Sequence, residues 1–288
     1  MQTILADLLK LLELEQVEDN FFRGESRDIG SRRVFGGQVL GQALTAANYT
    51  VEDRDVHSLH AYFLRPGDVK APILYEVDCA RDGKSFSNRR VVAVQHGRPI
   101  FNMAASFQAP EEGLQHQAEI PDVPDPDDVA DLSDVPEHVI KTVPPQMRRF
   151  LTRVRPIEMR PVEPMDLTTR APREPVQHVW IRTVDELPDD PDLHRNLLAY
   201  ISDYQLFGTT TLPHQISWEA GNIQMASLDH AMWFHRAFRV DEWLLYSMES
   251  PNASGARGLA MGRFFKPDGM LVASTAQEGL IRIWPESE

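Results

Sequence analysis

The segment FGGQVLGQALTAANYT, residues 35–50, decides how the rest of the chain is interpreted. Its glycines and alanines leave one face small and apolar, which predicts a helix packed closely against a sheet. Four strand-like runs follow it: HSLHAYFLR at 57–65, PILYEVDCA at 72–80, SNRRVVAVQ at 87–95 and PIFNMAASFQ at 99–108. Turn signals at Asp82-Gly83 and His96-Gly97 separate the later runs, so we predict one helix followed by antiparallel strands.

The second part of the chain repeats this order. A helix-like segment, DLHRNLLAYISDYQLF at 192–207, precedes strand-like runs at 225–236, 242–250, 256–265 and 270–279, the last after a turn at KPDG. A constant offset of 171 aligns Tyr75 with Tyr246 and Ile100-Phe101 with Leu271-Val272. We therefore predict an α+β fold with two repeats, each a helix wrapped by an antiparallel sheet, and the two sheets placed edge to edge.

An acidic segment lies between the repeats. Residues 111–140 carry ten Asp and Glu and no Lys or Arg, which leaves only −4 of the net charge of −14 for the rest of the 288 residues. This segment is also rich in proline, so we interpret it as a solvated connector. The predicted organisation is an N-terminal repeat at 1–112, a linker at 113–150 and a C-terminal repeat at 151–288.

The N-terminal residues and the composition bear on the cellular location of the protein. Leu5, Leu8, Leu9 and Leu12 follow helical spacing, so the first residues predict a short amphipathic helix lying on the body rather than a leader sequence. No run reaches the roughly 20 apolar residues that cross a bilayer, and nothing supports nucleic-acid binding. With Cys79 as the single cysteine, an internal disulfide is excluded, and we expect a cytoplasmic protein.

Six motifs carry a resemblance to a known family. They are VFGGQVLGQAL, HSLHAYFLRPGD, RDGKSFSNRRV, FNMAASFQAPE, DHAMWFHRAFRVDEWLLY and STAQEG, in this order along the chain. Together they resemble the acyl-CoA thioesterase II family, whose fold is a double hotdog. The resemblance implies hydrolysis of medium- to long-chain acyl-CoA thioesters to free fatty acid and CoA. It also implies further assembly of the chain, as a homodimer or homotetramer.

The resemblance also implies a catalytic set. In the family an Asp, a Thr and a Gln hold the hydrolytic water, and the matching positions here are Asp203, Ser227 and Gln277. Serine replaces the usual threonine, which keeps the hydroxyl and loses a methyl group. Under the 171 offset Gln277 corresponds to Ser106, and Asp203 to Thr45 if the helices align as VLGQALT over LLAYISD. We therefore expect one catalytic set per chain, in the second repeat.

Other residues are candidates for binding the substrate. Gly36 and Gly37 either allow close helix–sheet packing or offer backbone N–H groups at a helix start that polarise a thioester carbonyl. The candidates for the CoA phosphates are Arg65, Arg89, Arg90 and Arg257. We expect Asp203 to act as general base, and no metal or redox cofactor to take part.

Plainer interpretations stand beside each of these. Asp203 could face solvent on a helix, Ser227 could bond to a neighbouring strand, and Gln277 could be an edge-strand amide. No GxSxG elbow, Walker loop or dinucleotide glycine loop occurs, and the odd spacing of the paired histidines does not suit a metal site. Two alternative functions remain: an enoyl-CoA hydratase on the same fold, and a non-catalytic acyl-CoA-binding module.

Overall fold

The computed structural model describes residues 3–29, 33–134, 140–141, 148, 151–163, 171–214, 216 and 222–284. The chain begins with α1, Thr3–Leu12, which buries Leu5, Leu8, Leu11 and Leu12 on one face. The amphipathic N-terminal helix is therefore confirmed. None of the helices in these ranges is long and apolar enough to cross a membrane.

The first repeat contains one long helix and six strands. They are β1 Glu15–Glu18, β2 Phe21–Gly24, α2 Gly36–Asn48, β3 Asp55–Phe63, β4 Ile73–Asp82, β5 Phe86–Gln95 and β6 Arg98–Gln108. The second repeat contains β7 Ile157–Pro161, β8 Val176–Thr183, α3 Pro191–Ser202, β9 Ile223–Ser227, β10 Asp229–Phe234, β11 Leu244–Ser254, β12 Arg257–Phe265 and β13 Leu271–Ile283. The sequence did not predict β1, β2, β7 and β8, which lie outside the matched motifs.

All of these strands belong to one antiparallel sheet. The order is β1-β2-β4-β5-β6-β3-β10-β13-β12-β11-β8-β7, and β9 also pairs with β13. The two repeats meet where β3 pairs with β10, with Leu59 opposite Met232. Each repeat thereby covers an edge of the other, which removes two exposed strand edges. The predicted double hotdog, with two sheets joined edge to edge, is confirmed.

The two long helices lie against each other inside this curved sheet. A Cβ atom at Gly37 would come within 2.2 Å of the Tyr200 backbone oxygen, and one at Gly41 within 3.1 Å of the Asn196 oxygen. A later residue of α2 thus contacts an earlier residue of α3, so the two helices are antiparallel. The small face of residues 35–50 serves helix–helix packing here as well as the predicted helix–sheet packing.

Strand register supports the internal repeat and corrects its last part. Tyr75 pairs with Ala93, and Tyr246 with Phe264, as the offset of 171 requires. The turn before β13 is one residue longer than the turn before β6, because Lys266 bonds to Met270 whereas Gln95 pairs with Arg98. From there onward the offset is 172.

The longer turn changes two of the predicted correspondences. Phe101 pairs with Ala93, and Ala273 with Phe264, so Ile100-Phe101 corresponds to Val272-Ala273 and not to Leu271-Val272. Likewise the counterpart of Gln277 is Ala105, and the predicted match to Ser106 is wrong. The conclusion drawn from that match is unaffected, since Ala105, like Ser106, offers neither an amide nor a carboxylate.

The connector packs more than its composition indicates. Over 113–134 its only regular structure in the described part is a short 3₁₀ turn, Pro126–Asp128. However, Ile120, Val123 and Val129 pack against a cluster that contains Trp180, and the Trp180 Nε1 donates a hydrogen bond to the Pro124 oxygen at 2.9 Å. The prediction of a solvated connector is therefore wrong for these apolar residues, which cover part of the second repeat; the rest of the predicted linker lies largely outside the described residues.

Candidate active site

The end of α3 positions Asp203. The helix begins at Pro191 after Asp190, whose side chain accepts hydrogen bonds from the N–H groups of Asp192 and Leu193. It ends at Ser202, and Asp203 is the residue that caps its C-terminus. The half-buried Asp203 side chain reaches the start of α2, where its Oδ2 accepts a hydrogen bond from the Gly37 N–H at 2.9 Å. A carboxylate is favoured there because the N-terminus of a helix carries a partial positive charge.

Gln277 connects the other two predicted residues. Its Nε2 lies 2.8 Å from Asp203 Oδ1 and 3.0 Å from Ser227 Oγ. An ionised carboxylate only accepts hydrogen bonds, so the amide must present its NH₂ group to Asp203. Gln277 is 1% exposed, and its Oε1 has no donor among the described residues. Asp203, Ser227 and Gln277 therefore form one hydrogen-bonded group.

A break in the strand beside β13 places Ser227. Both β9 and β10 pair with β13, and Leu228 between them bonds through its N–H to the Glu278 oxygen at 2.9 Å. The Glu278 N–H is taken by the Asp229 side chain, whose Oδ1 lies 2.6 Å away. This side-chain contact replaces a backbone ladder bond at the break. It leaves Ser227 paired with Gly279 and its hydroxyl directed at Gln277.

The electrostatics of Asp203 suit a base. Burial raises the pKa of its carboxyl to about 6, although the hydrogen bonds from Gln277 and Gly37 act in the opposite direction. A pKa near 6 leaves the group mostly ionised at pH 7 yet able to accept a proton. Burial likewise raises the pKa of Asp229.

Small and aromatic residues enclose the carboxylate. A Cβ atom at Gly36 would lie 2.7 Å from Asp203 Oδ2 and 3.0 Å from the Phe63 ring, so only glycine leaves this side of the carboxylate clear. Phe35, which precedes Gly36, stacks on Tyr204, which follows Asp203, with ring centroids 5.0 Å apart. Aromatic side chains therefore flank the contact between Asp203 and the start of α2.

The two predicted glycines have different positions. The Gly37 N–H is bound to Asp203 and is therefore not free to bind a carbonyl. Gly36 is the first residue of α2, and no acceptor for its N–H is found in the described ranges. An unpaired N–H at the first helical position is a ready donor for an oxygen atom of a ligand.

The four predicted arginines have different environments. Arg89 is buried, and its guanidinium binds Thr50, the backbone oxygens of Arg81 and Asn88, and Asp82. Arg65 and Arg90 are exposed, and the Arg65 Nη1 donates to the Pro99 oxygen at 2.6 Å. Arg257 forms a 2.9 Å ion pair with Glu278, the residue next to Gln277. The internal bonds of Arg89 make it unsuited to bind a phosphate.

Metal or thiol chemistry receives no support from the described residues. No group of three or more His, Cys, Asp or Glu side chains within them could hold a metal ion. Cys79 is exposed on β4, and its Sγ lies 3.6 Å from Asn20 Oδ1.

Sequence reasoning missed Asp229 and the buried polar residues behind Asp203, among them Ser202, His230 and Tyr246. Asp229 shapes the strand break, and its signal was an acidic residue inside a strand-like run. His230 and Tyr246 bond to Ser202, the last residue of α3. A comparison of the two repeats could have revealed His230, because the equivalent residue in the first repeat is the apolar Leu59.

Family models match both repeats. The model described as "Acyl-CoA thioesterase N-terminal domain" matches residues 23–108, and the one described as "Acyl-CoA thioesterase" matches residues 155–280. The chain is 44% identical to Acyl-CoA thioesterase 2 of Haemophilus influenzae over 98% of this chain and 99% of that protein. It is 45% identical to human Acyl-coenzyme A thioesterase 8 over 96% of this chain and 89% of that protein.

Solved structures agree with this assignment. The acyl-CoA thioesterase II TesB2 from Mycobacterium marinum aligns with a TM-score of 0.79 and 44% identity, over 96% of this chain and 99% of that chain. A protein from Alicyclobacillus acidocaldarius, described as having a hot dog fold, aligns over 96% of this chain and 97% of its own with a TM-score of 0.74 and 19% identity, which shows the fold alone. Motif order, register and end-to-end similarity lead to one conclusion: this chain belongs to the acyl-CoA thioesterase family of thioester hydrolases.

Proposed function

We propose that this chain hydrolyses acyl-CoA thioesters to a free fatty acid and CoA, with Asp203 as the general base. The observation that carries the proposal is the hydrogen-bonded group of Asp203, Gln277 and Ser227. The names of relatives at 44–45% identity support the same reaction. A simple binding site has no need for a carboxylate held by two donors with its pKa raised to about 6.

The reaction requires three events. Asp203 takes a proton from a water molecule, and the water oxygen attacks the thioester carbon. The tetrahedral intermediate then collapses, the C–S bond breaks, and the proton held by Asp203 neutralises the departing thiolate. A thiol has a pKa near roughly 8.5, so the thiolate leaves readily and a covalent enzyme nucleophile is not required.

Gln277 and Ser227 have distinct roles in this scheme. Both N–H bonds of the Gln277 amide are engaged by Asp203 and Ser227, so Gln277 acts by holding these two residues in place. Ser227 accepts a hydrogen bond from Gln277 and keeps its own hydroxyl hydrogen for the water molecule. Orientation of this kind lowers the entropic part of the barrier.

The start of α2 supplies the electrophilic assistance. We assign the Gly36 N–H as a donor to the thioester oxygen, where negative charge develops in the transition state. The adjacent Gly37 N–H holds the base instead. One helix terminus would thus serve both reacting groups.

Exposed arginines are candidates for binding the CoA part of the substrate. Arg65, Arg90 and Arg257 are retained as candidates for the CoA phosphates, and Arg89 is not, because its guanidinium is bound internally. We propose medium- to long-chain acyl groups, a homodimer or homotetramer, and a cytosolic location, which the free exposed Cys79 fits.

The test compares the parent protein with Asp203→Asn. Purified protein is incubated with decanoyl-CoA and palmitoyl-CoA, and free thiol is followed. Thiol release by the parent and a loss of at least roughly a hundredfold in kcat for the variant are expected. Loss of enoyl absorbance from an enoyl-CoA without thiol release would instead show a hydratase. Binding with neither reaction would show a binding module.

A further inference from the structure

Four buried polar side chains lie directly behind the proposed active site. They are Ser202 on α3, His230 on β10, Tyr246 on β11 and Thr275 on β13, and we call them the Ser202 network. None of them belongs to the group that contacts the proposed water. Burial of so many polar groups lowers stability unless the bonds are well made.

The bonds of the network converge on the last residue of α3. The Ser202 hydroxyl donates to the Ala199 oxygen at 2.8 Å, and His230 Nε2 lies 2.8 Å from the same hydroxyl oxygen. Tyr246 donates its hydroxyl hydrogen to the Ser202 backbone oxygen at 2.7 Å. That oxygen is one of the carbonyl groups that a helix end leaves unpaired. Ser202 is therefore fixed through both its side chain and its backbone, one residue before Asp203.

Thr275 and Gly262 support the tyrosine. Thr275 Oγ1 lies 3.1 Å from the Tyr246 hydroxyl oxygen. A Cβ atom at Gly262 would come within 2.4 Å of the Tyr246 ring and 2.6 Å of Thr275 Oγ1. The absence of a side chain on β12 thus makes room for this pair.

The first repeat has the same fold without the network. By strand register the counterparts of His230, Thr275 and Gly262 are Leu59, Met103 and Val91, and all three are buried apolar residues. Only the tyrosine is common to both repeats, and the Tyr75 hydroxyl donates to Gln42 Oε1 at 2.7 Å instead of to a helix end. The fold of a repeat therefore does not require these polar residues.

His230 is expected to lower the stability of the fold relative to a leucine at the same position. Its Nδ1 is buried without a partner in the described part of the chain, and an unpaired buried polar group costs roughly 1–3 kcal/mol. Burial lowers the pKa of His230 to about 3, so the ring is neutral and acts as a hydrogen-bond donor rather than as an acid. Its position one residue beyond the Ala231–Ala276 pair also sets it across from Gln277.

We propose that His230 and Tyr246, with Thr275 behind them, are positioning residues that lock the end of α3 and thereby hold Asp203 against Gln277 and Gly37. This inference rests on the proposed function. A shift of about 1 Å in a catalytic group can lower turnover roughly a hundredfold. The network therefore acts on the chemical step and not on substrate binding.

The test uses His230→Leu and Tyr246→Phe, with Tyr75→Phe as the matched control in the first repeat. Both network variants should lower kcat roughly 10- to 100-fold while KM for decanoyl-CoA stays within about twofold. The melting temperature of His230→Leu should not fall, since leucine occupies the equivalent site in the first repeat. Tyr75→Phe should leave kcat unchanged, and His230→Gln, which keeps a donor, should recover part of the turnover.

Several results would overturn this inference. Parental kcat in both network variants, while Asp203→Asn still loses roughly a hundredfold, would remove the positioning role and leave the proposed function intact. A marked fall in the melting temperature of His230→Leu would show a role in folding rather than in positioning. If Asp203→Asn itself keeps its turnover, the proposed function fails together with the inference.

Discussion

The pKa of Asp203 predicts the pH dependence of the reaction. Because that pKa lies at about 6 in the free protein, kcat/KM should fall tenfold per pH unit well below pH 6 and reach a plateau above pH 7. Removing Gln277 takes away the 2.8 Å hydrogen bond that favours the ionised carboxylate. A hydrogen bond to a charged group contributes about 1.5–3 kcal/mol, and each pKa unit corresponds to about 1.4 kcal/mol. Gln277→Ala should therefore move the inflection upward by roughly one to two pH units.

The assay should follow the ultraviolet absorbance of the thioester between pH 4.5 and 9, because thiol-capture reagents themselves slow down in acid. Glu278→Gln is the matched control, since Glu278 is adjacent in sequence but pairs with Arg257 and does not contact Asp203. Its inflection should coincide with that of the parent protein. A parental plateau that continues to pH 4.5, or an inflection in Gln277→Ala that stays in place or moves down, would refute the assignment of Asp203 as the base.

Three further predictions concern the same site. Ser227→Ala should lower kcat by roughly 10- to 100-fold, as expected when a group that orients the water is lost, whereas Ser227→Thr should keep at least parental kcat in the same thioester assay. Folding raises the pKa of Asp203 from 3.8 to about 6, so this group favours the folded state at low pH, and its contribution is lost as the pH rises through 6. The free energy of unfolding of Asp203→Asn, measured by thermal melts, should therefore increase relative to that of the parent by up to about 3 kcal/mol between pH 4 and pH 7.5. A difference in unfolding free energy between variant and parent that does not change with pH would contradict this prediction. Gly37→Ala should lower both the melting temperature and kcat, because its Cβ would lie 2.2 Å from the Tyr200 oxygen and force the two helices apart; an unchanged melting temperature would contradict the observed packing.

The fold was largely predictable because its signals are local. Helix periodicity and turn residues mark the helices and the strands within the matched motifs, although not β1, β2, β7 and β8. At His96-Gly97 both residues have the positive φ angles that such a turn requires. The repeat offset followed from the same signals, but its last part depended on one extra residue in the turn at 266–270. Only strand pairing reveals such a shift, because a one-residue slip reverses which side chains face the core.

The sequence indicated which residues of the candidate site lie together, but it did not indicate their other contacts. Family resemblance assigned Asp203, Ser227 and Gln277, and the structure brings their side chains together. No pattern in the sequence indicates that the Gly37 N–H, 166 residues away, binds the same carboxylate. Likewise the sequence does not distinguish an exposed strand arginine, such as Arg90, from one that is buried and bonded internally, such as Arg89.

The proposed catalytic set draws on both repeats of the chain. The second repeat supplies the carboxylate, amide and hydroxyl, while the first supplies the start of α2, whose Gly37 holds the carboxylate and whose Gly36 leaves space beside it. Neither repeat alone contains all the residues of the proposed site. Since the first repeat has Ala105 in place of Gln277, a second site related by the internal symmetry lacks the bridging amide. The proposed site therefore requires both repeats of the chain, because the start of α2 holds the carboxylate that α3 supplies.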